Sequence, residues 1–232
     1  MRQEQPMALH IESCPNGECQ KNEGGVRITV LDDFGADVLG RLSRLTRLPE
    51  TLDPWVHIVI GEAAPACSCD AIHVLATRSE GAERDAICVV GDADWLAAAL
   101  APIVKLTVEP GKICIDLADL RAVFHGRGPI AGVWTAGETL EAAAASAILA
   151  AGPRLREARS VMLHIDAPVG TGLFDVNEVA SRVQEAAPAE ADVVFNFYGN
   201  GAVEGEMGSV RVTILIAGHH REKELPLLLN KA

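Results

Sequence analysis

Short apolar runs alternate with helical periodicities along most of this chain, a pattern typical of a sheet with helices packed on it. Runs rich in β-branched residues and bounded by Gly, Pro or Asp predict strands. In the first half these runs are 26–31, 55–62, 71–77 and 86–90. Apolar spacing predicts a helix over 36–48 and another from Asp92 to about Val108, the second bent or broken at Pro102.

The second half repeats this alternation after Pro110-Gly111. The predicted strands are 129–137, 161–166, 192–199 and 210–218. Three helices are predicted: one that begins near Asp116, one over 137–152 and one over 174–187. The pair Gly152-Pro153 is expected to end the alanine-rich middle helix. This order of elements predicts an α/β or α+β sandwich.

Composition narrows the class of protein. The net charge of −12 would repel a phosphate backbone, so nucleic-acid binding is not expected. The opening residues lack the apolar segment of a secretory leader, and no apolar run approaches the length of a membrane span. We therefore expect a cytoplasmic protein that does not insert into a membrane, with its cysteines reduced.

Four segments of the second half resemble the C-terminal domain of FtsZ, the bacterial tubulin homologue, in order and almost without gaps. The segments are EPGKICIDLADLRAVF, PIAGVWTAGE, GLFDVNEVASRVQEAA and VRVTILIAG, all within 110–218. The first 110 residues resemble the family only in outline and are much shorter than its GTPase domain. The resemblance implies an α/β fold with a truncated Rossmann-like amino-terminal subdomain and a four-stranded, helix-packed sheet of the FtsZ C-terminal type.

The resemblance also divides the chain into parts. Residues 1–24 are expected to be a flexible leader, and 25–110 a reduced remnant of the nucleotide domain that ends in a central helix. Residues 111–218 then form the FtsZ C-terminal-like domain, and 219–232 a tail.

The glycine-rich loops that bind GTP in this family are not found at the matching positions. Close approach to phosphates needs clustered backbone N–H groups, which glycines make accessible. The first loop reads Leu31-Asp32-Asp33-Phe34-Gly35, and the signature position, Thr77 to Arg84, holds one glycine. The two carboxylates would oppose the phosphates. We therefore predict no GTP site and no cofactor.

The resemblance implies that an acidic loop survives. In FtsZ, carboxylates of this loop position the water that attacks GTP held by the next subunit. The matching residues are Asp116 and Asp119, while Cys114 replaces the family's asparagine. A thiol lacks the donor and acceptor pair of an amide, which counts against catalysis. Asp116 and Asp119 are equally explained as a capping box, and both roles are compatible.

Other features carry weaker signals. The pairs Cys14/Cys19 and Cys67/Cys69 depart from the usual zinc spacing, so no metal site is predicted. Histidines 57, 73 and 164 are interpreted as ordinary strand residues. The tail resembles in outline the peptide with which FtsZ recruits partners, although it is equally explained as a packed terminal segment. Its candidate contact residues are Leu225, Pro226, Leu227, Leu228 and Leu229.

The resemblance therefore implies an interaction protein whose partner is itself or a full-length FtsZ-like protein. Such a subunit would self-assemble, cap a filament or modulate it. Two alternatives remain at this stage: residual GTP binding or GTPase activity in a cell-division protein, and a small oligomeric enzyme of unknown reaction.

Overall fold

The computed structural model describes residues 26–48, 56–61, 72–77, 86–108, 111–199 and 210–218. Within these ranges the chain forms eight strands and five helices. In the first half these are β1 (Val26–Val30), α1 (Asp33–Leu45), β2 (Val56–Gly61), β3 (Ile72–Thr77), β4 (Ile87–Val90) and α2 (Ala93–Val108). In the second half they are α3 (Leu117–Phe124), β5 (Pro129–Gly137), α4 (Leu140–Arg156), β6 (Ser160–Asp166), α5 (Leu173–Ala186), β7 (Asp192–Tyr198) and β8 (Val210–Ala217).

All eight strands belong to one mixed sheet, in the order β1-β2-β3-β4-β5-β8-β6-β7. Strands β1 to β5 are parallel neighbours, while β8 runs antiparallel to both β5 and β6. The predicted α/β class is confirmed, but the second group of four strands is not a separate sheet. It is joined to the first through two residue pairs between β4 and β5, Cys88–Pro129 and Val89–Ile130.

Helix α2 is the centre of the molecule. Its residues from Trp95 to Val104 include a nearly continuous run of buried apolar side chains, because the helix packs against α1 and also contacts strands β4, β5 and β8. The predicted break at Pro102 is not found, since α2 continues through this proline. Proline removes one backbone donor from the helix, and the burial of the residues around it compensates for that loss.

Helix α4 bends where its end was predicted. Gly152 has a φ of 45° and a ψ of −122°, outside the helical region, a conformation that glycine adopts without the steric penalty of a Cβ. The chain then resumes a helical turn from Pro153 to Arg156, because proline suits the first turn of a helix. The glycine therefore introduces a kink rather than an end.

The two faces of the second half of the sheet have different partners. Val161, Leu163 and Ile165 of β6 pack in the same apolar core as the buried residues of α4 and α5. The alternate residues of β6 lie on the opposite face, where Met162 shares a core with α2 and α3. His164 and Asp166 lie on that same face, so two polar residues are buried between the central helix and the sheet.

Candidate functional site

The first candidate site is the carboxyl edge of the parallel strands, where nucleotides bind in open α/β sheets. Asp32 is the N-cap of α1, and its Oδ1 accepts a hydrogen bond of 2.8 Å from the backbone N–H of Gly35. A carboxylate of the chain itself thus occupies the helix N-terminus, the position that would favour a phosphate.

Gly35, the only glycine of this loop, is required for packing. A Cβ at this position would lie 2.5 Å from the carbonyl oxygen of Ile60 in β2. The glycine therefore allows α1 to approach the neighbouring strand closely, and this contact explains its presence without a ligand.

The end of β4 resembles the end of β1. Oδ1 of Asp92 accepts a hydrogen bond of 2.8 Å from the backbone N–H of Trp95, in the first turn of α2. The second predicted loop, 78–84, lies outside the described residues, so Arg78 and Arg84 have no described position. Two of the strand ends at this edge therefore carry an aspartate that caps the following helix.

The second candidate site is the acidic loop, residues 111–119, before and at the start of α3. Oδ1 of Asp116 accepts from the Asp119 N–H at 2.8 Å, and Oδ2 of Asp119 accepts from the Asp116 N–H at 3.0 Å. The predicted capping box is confirmed. Both carboxylates are exposed, so capping leaves them accessible to a partner. Cys114 is also exposed, and its thiol donates to the Gly111 carbonyl at 3.3 Å.

The acidic loop is fixed at the edge of the sheet. Ile113 pairs with Phe197 of β7 in an antiparallel bridge, in which the Phe197 N–H donates to the Ile113 carbonyl at 2.9 Å. Lys112 then reaches the next loop, donating from Nζ to the carbonyl of Val169 at 2.9 Å.

That neighbouring loop and the first turn of α5 carry three exposed apolar side chains, Val169, Leu173 and Phe174, which we call the apolar patch. Their exposed fractions are 69%, 59% and 80% respectively, which is high for large apolar side chains in a soluble fold. Since Lys112 bonds to the carbonyl of Val169, the start of the apolar patch lies beside the acidic loop. Clustered apolar side chains next to charged residues are typical of protein–protein interfaces.

The third feature is a buried polar cluster, formed by Lys105 of α2, His164 and Asp166 of β6, and Asn196 of β7. Lys105 Nζ lies 2.6 Å from Asp166 Oδ1. His164 lies between Asp166 and Asn196. Its Nε2 is 3.1 Å from Asp166 Oδ2, and its Nδ1 is 2.9 Å from Asn196 Oδ1. The burial of this carboxyl would by itself raise the pKa of Asp166, but His164 and Lys105 hold it well below its ordinary value.

This cluster was not predicted from the residue pattern. His164 is buried and hydrogen-bonded, which agrees with the interpretation as a strand histidine. Lys105 and Asp166 were not identified as a pair, because a lysine on a helix is usually exposed. The available signal was the end of β6, HID, where a histidine and an aspartate two positions apart share one face of a buried strand.

Several predictions fall outside the described residues, namely Cys14, Cys19, Cys67, Cys69 and the tail residues 225–229. In the described part of the chain, no group of three or more His, Cys, Asp or Glu side chains is placed to hold a metal ion. No helix in that part is long and apolar enough to cross a membrane.

Comparison with known proteins gives one consistent result, although no family model matches the chain. The cell division protein FtsZ of Bartonella bacilliformis is 34% identical over 135 residues, which cover 54% of this chain and 22% of that protein. The FtsZ of Magnetospirillum gryphiswaldense is 29% identical over 132 residues, covering 54% of this chain and 23% of its own length. The chain thus spans less than a quarter of the length of either relative.

Among solved structures, the fold is similar to that of an empty FtsZ dimer from M. jannaschii. The TM-score is 0.52 at 15% identity, with 70% of this chain and 62% of the other covered. This similarity concerns the fold alone. Sequence and fold thus agree: about half of the chain is similar in sequence to FtsZ, and its fold is similar to that of an FtsZ structure.

Proposed function

We propose that this chain is an FtsZ-like interaction protein without a GTP site of its own, which docks through its acidic loop and apolar patch onto an FtsZ-type subunit. The observation that carries the proposal is the hydrogen bond from Lys112 of the acidic loop to Val169 of the loop before α5, which brings the two loops together on one face. The face combines accessible carboxylates, Asp116 and Asp119, with three exposed apolar side chains. Exposed apolar side chains beside charged residues are typical of protein–protein interaction sites.

The carboxyl edge of the parallel strands supports the proposed lack of a GTP site. At the α1 N-terminus the Gly35 N–H is already bonded to the Asp32 carboxylate, and a polyphosphate there would have to displace that bond and meet its negative charge. Asp33 adds a second carboxylate in the same turn. A subunit with a docking face but no nucleotide would bind one end of a filament and stop its growth. The two relatives are cell division proteins by name, and we extend that process to this chain.

Polymerisation of FtsZ in the presence of this chain tests the proposal. Full-length Bartonella bacilliformis FtsZ would be mixed with GTP and increasing amounts of the chain, and light scattering and phosphate release followed together. We expect both signals to fall as the chain approaches the concentration of FtsZ. Unchanged signals at a large excess would contradict docking.

Nucleotide binding is a separate measurement on the chain alone. Equilibrium titration with a fluorescent GTP analogue and Mg²⁺ should give no saturable signal. Saturable binding in the micromolar range would instead favour the alternative of residual GTP binding, even if the chain also docked on FtsZ.

Self-association is the second candidate, because the matched M. jannaschii structure is described as a dimer. Head-to-tail copies of this chain would bring Asp116 and Asp119 of one copy towards Asp32 and Asp33 of the next, and like charges repel. We therefore expect any self-association to strengthen with salt, which screens this repulsion. Sedimentation velocity at low and high ionic strength measures it.

A further inference from the structure

The two hydrogen bonds of His164 in the buried polar cluster each require a donor from the imidazole ring. Asp166 Oδ2 and Asn196 Oδ1 are both acceptors, and each lies within hydrogen-bond distance of a different ring nitrogen. An imidazole that donates to both must carry a proton on each nitrogen and is therefore positively charged. A neutral imidazole has one donor and one acceptor, so it satisfies only one of these contacts as they stand.

The amide of Asn196 supplies the alternative arrangement. Its Nδ2 is buried and has no hydrogen-bond partner among the described residues. A half-turn of the amide would place Nδ2 where Oδ1 now lies, so that it donates to a deprotonated Nδ1 of His164. The same four residues therefore satisfy two protonation states of the ring, one for each orientation of the amide.

The charges facing the ring differ between the two states. Lys105 approaches from α2 and Asp166 from β6, and with His164 protonated the cluster holds two cations and one anion. Arg211 of β8, the register partner of Asp166, has its guanidinium over the Trp134 ring, and Tyr198 of β7 places its ring 5.3 Å from the imidazole. Helix α3 contributes apolar Leu120, Val123 and Phe124 to the core that also contains Met162 of β6. When the imidazole loses its proton, the cluster holds one cation, Lys105, and one anion, Asp166, and its charges cancel.

The cluster includes residues of α2, which precedes the acidic loop in the chain, and of β7, which pairs with the loop. Lys105 belongs to α2, the helix that leads into the loop. Asn196 precedes Phe197, whose backbone N–H and carbonyl bond to residues Ile113 and Lys112 of the loop. Asn196 is therefore the immediate chain neighbour of the residue that anchors the loop.

We propose that His164 and Asn196 form a proton-operated switch, in which loss of the imidazole proton turns the Asn196 amide and alters how β7 anchors the acidic loop. The inference concerns the folded chain alone and stands whether or not the chain docks onto another subunit.

Nuclear magnetic resonance of the intact, isotope-labelled chain tests this. Ring nitrogens, side-chain amides and backbone amides would be assigned through bonds and followed from about pH 5 to about pH 9, the range in which histidine changes charge. We expect His164 to be doubly protonated at the acid end. The ring of His164, the side-chain amide of Asn196 and the backbone amide of Ile113 should then change with one shared midpoint. Exposed His125 and Asn177 serve as internal controls, and Asn177 should not follow the midpoint of His164.

Two variants sharpen the test. N196D replaces the amide by a carboxylate that only accepts, so it should favour the doubly protonated ring and move the His164 midpoint upward. H164Q should abolish the pH response of Asn196. A ring that keeps one protonation state across the range, or that titrates while Asn196 and Ile113 stay unchanged, would overturn the proposal. Because the wild-type titration decides between these outcomes, the test does not depend on how well the variants fold.

Discussion

Lys105 and Asp166, 61 positions apart in the sequence, meet in a buried ion pair in which Nζ lies 2.6 Å from Oδ1. The pair fastens the central helix to the second half of the sheet, and each side chain is only 9% exposed. Removing one partner of such a pair leaves a charge without water or a counter-ion, which is more costly than losing a surface pair.

Replacement of Lys105 by methionine should therefore lower the free energy of unfolding by about 3 to 5 kcal/mol, as measured by urea denaturation. The matched control is R182Q, which removes the longer, exposed contacts of Arg182 with Glu141 and Glu178 and should cost less than about 1 kcal/mol. Similar losses in the two variants would show that burial of the Lys105–Asp166 pair is not what makes it important.

The pH dependence of stability follows from the depressed pKa of Asp166. Folding lowers this pKa, so the carboxylate contributes stability above the pKa of the unfolded chain, about 4, and loses it as the pH falls towards the folded value. We expect the wild-type protein to lose stability below about pH 4 more steeply than D166N. Chemical denaturation at a series of pH values provides the comparison, and parallel curves would contradict this assignment.

Two glycines of α1 should respond in opposite directions to alanine. A Cβ at Gly35 would lie 2.5 Å from the Ile60 carbonyl, whereas a Cβ at Gly40 would meet nothing within 4 Å. G35A should destabilise by about 1 to 3 kcal/mol through overpacking. G40A should stabilise by about 0.5 to 1 kcal/mol through helix propensity. Thermal melts of the two variants measure the difference, and equal behaviour would argue against the close approach of α1 to β2.

Substitutions of Asp32 can separate the effect of its hydrogen-bonding oxygen on stability from the effect of its negative charge. D32A should cost about 1 kcal/mol, because the Gly35 N–H loses its acceptor. D32N keeps a side-chain oxygen at that position and should cost much less, since asparagine caps as well as aspartate. Urea denaturation of both variants checks this. A large loss in D32N would indicate that the negative charge is required for another reason.

The apolar patch should matter for binding and not for folding. Phe174 and Leu149 are exposed to similar extents, 80% and 82%, but lie on different helices. We expect F174S to weaken the effect on FtsZ polymerisation about 10-fold or more, as for an anchor residue at an interface, with no loss of stability. L149S should behave like the wild-type protein. Equal inhibition by both variants would exclude the patch as the docking surface.

Much of the fold could be predicted from residue patterns, for a physical reason. Buried strands such as β2 and β6 are short, β-branched and bounded by turn residues, so their positions agree with the structure within a residue or two. The caps at Asp116 and Asp119 were equally visible, because a capping box depends on residues three positions apart. Signals of this kind are local, and local signals survive in a single sequence.

The features that escaped prediction depend on distant residues. The pairing of Lys105 with Asp166 joins a helix to a strand, and neither residue carries a local sign of its partner. Helix α2 was predicted over the right residues, but the break allowed at Pro102 is not found, because surrounding burial outweighs the local preference of proline. The apolar patch was also missed, since periodicity shows which residues are apolar but not which of them the fold leaves uncovered.

The seam between β4 and β5 has a consequence for how the two halves of the sheet are coupled. Only two residue pairs join these strands, and one of them uses Pro129, which has no N–H to donate. Helix α2 also contacts both sides of the seam. Its Trp95 lies against Gly91, after β4, and close to Gly132 of β5. One indole ring thus contacts both halves of the sheet, so side-chain packing supplements the short backbone ladder at the seam.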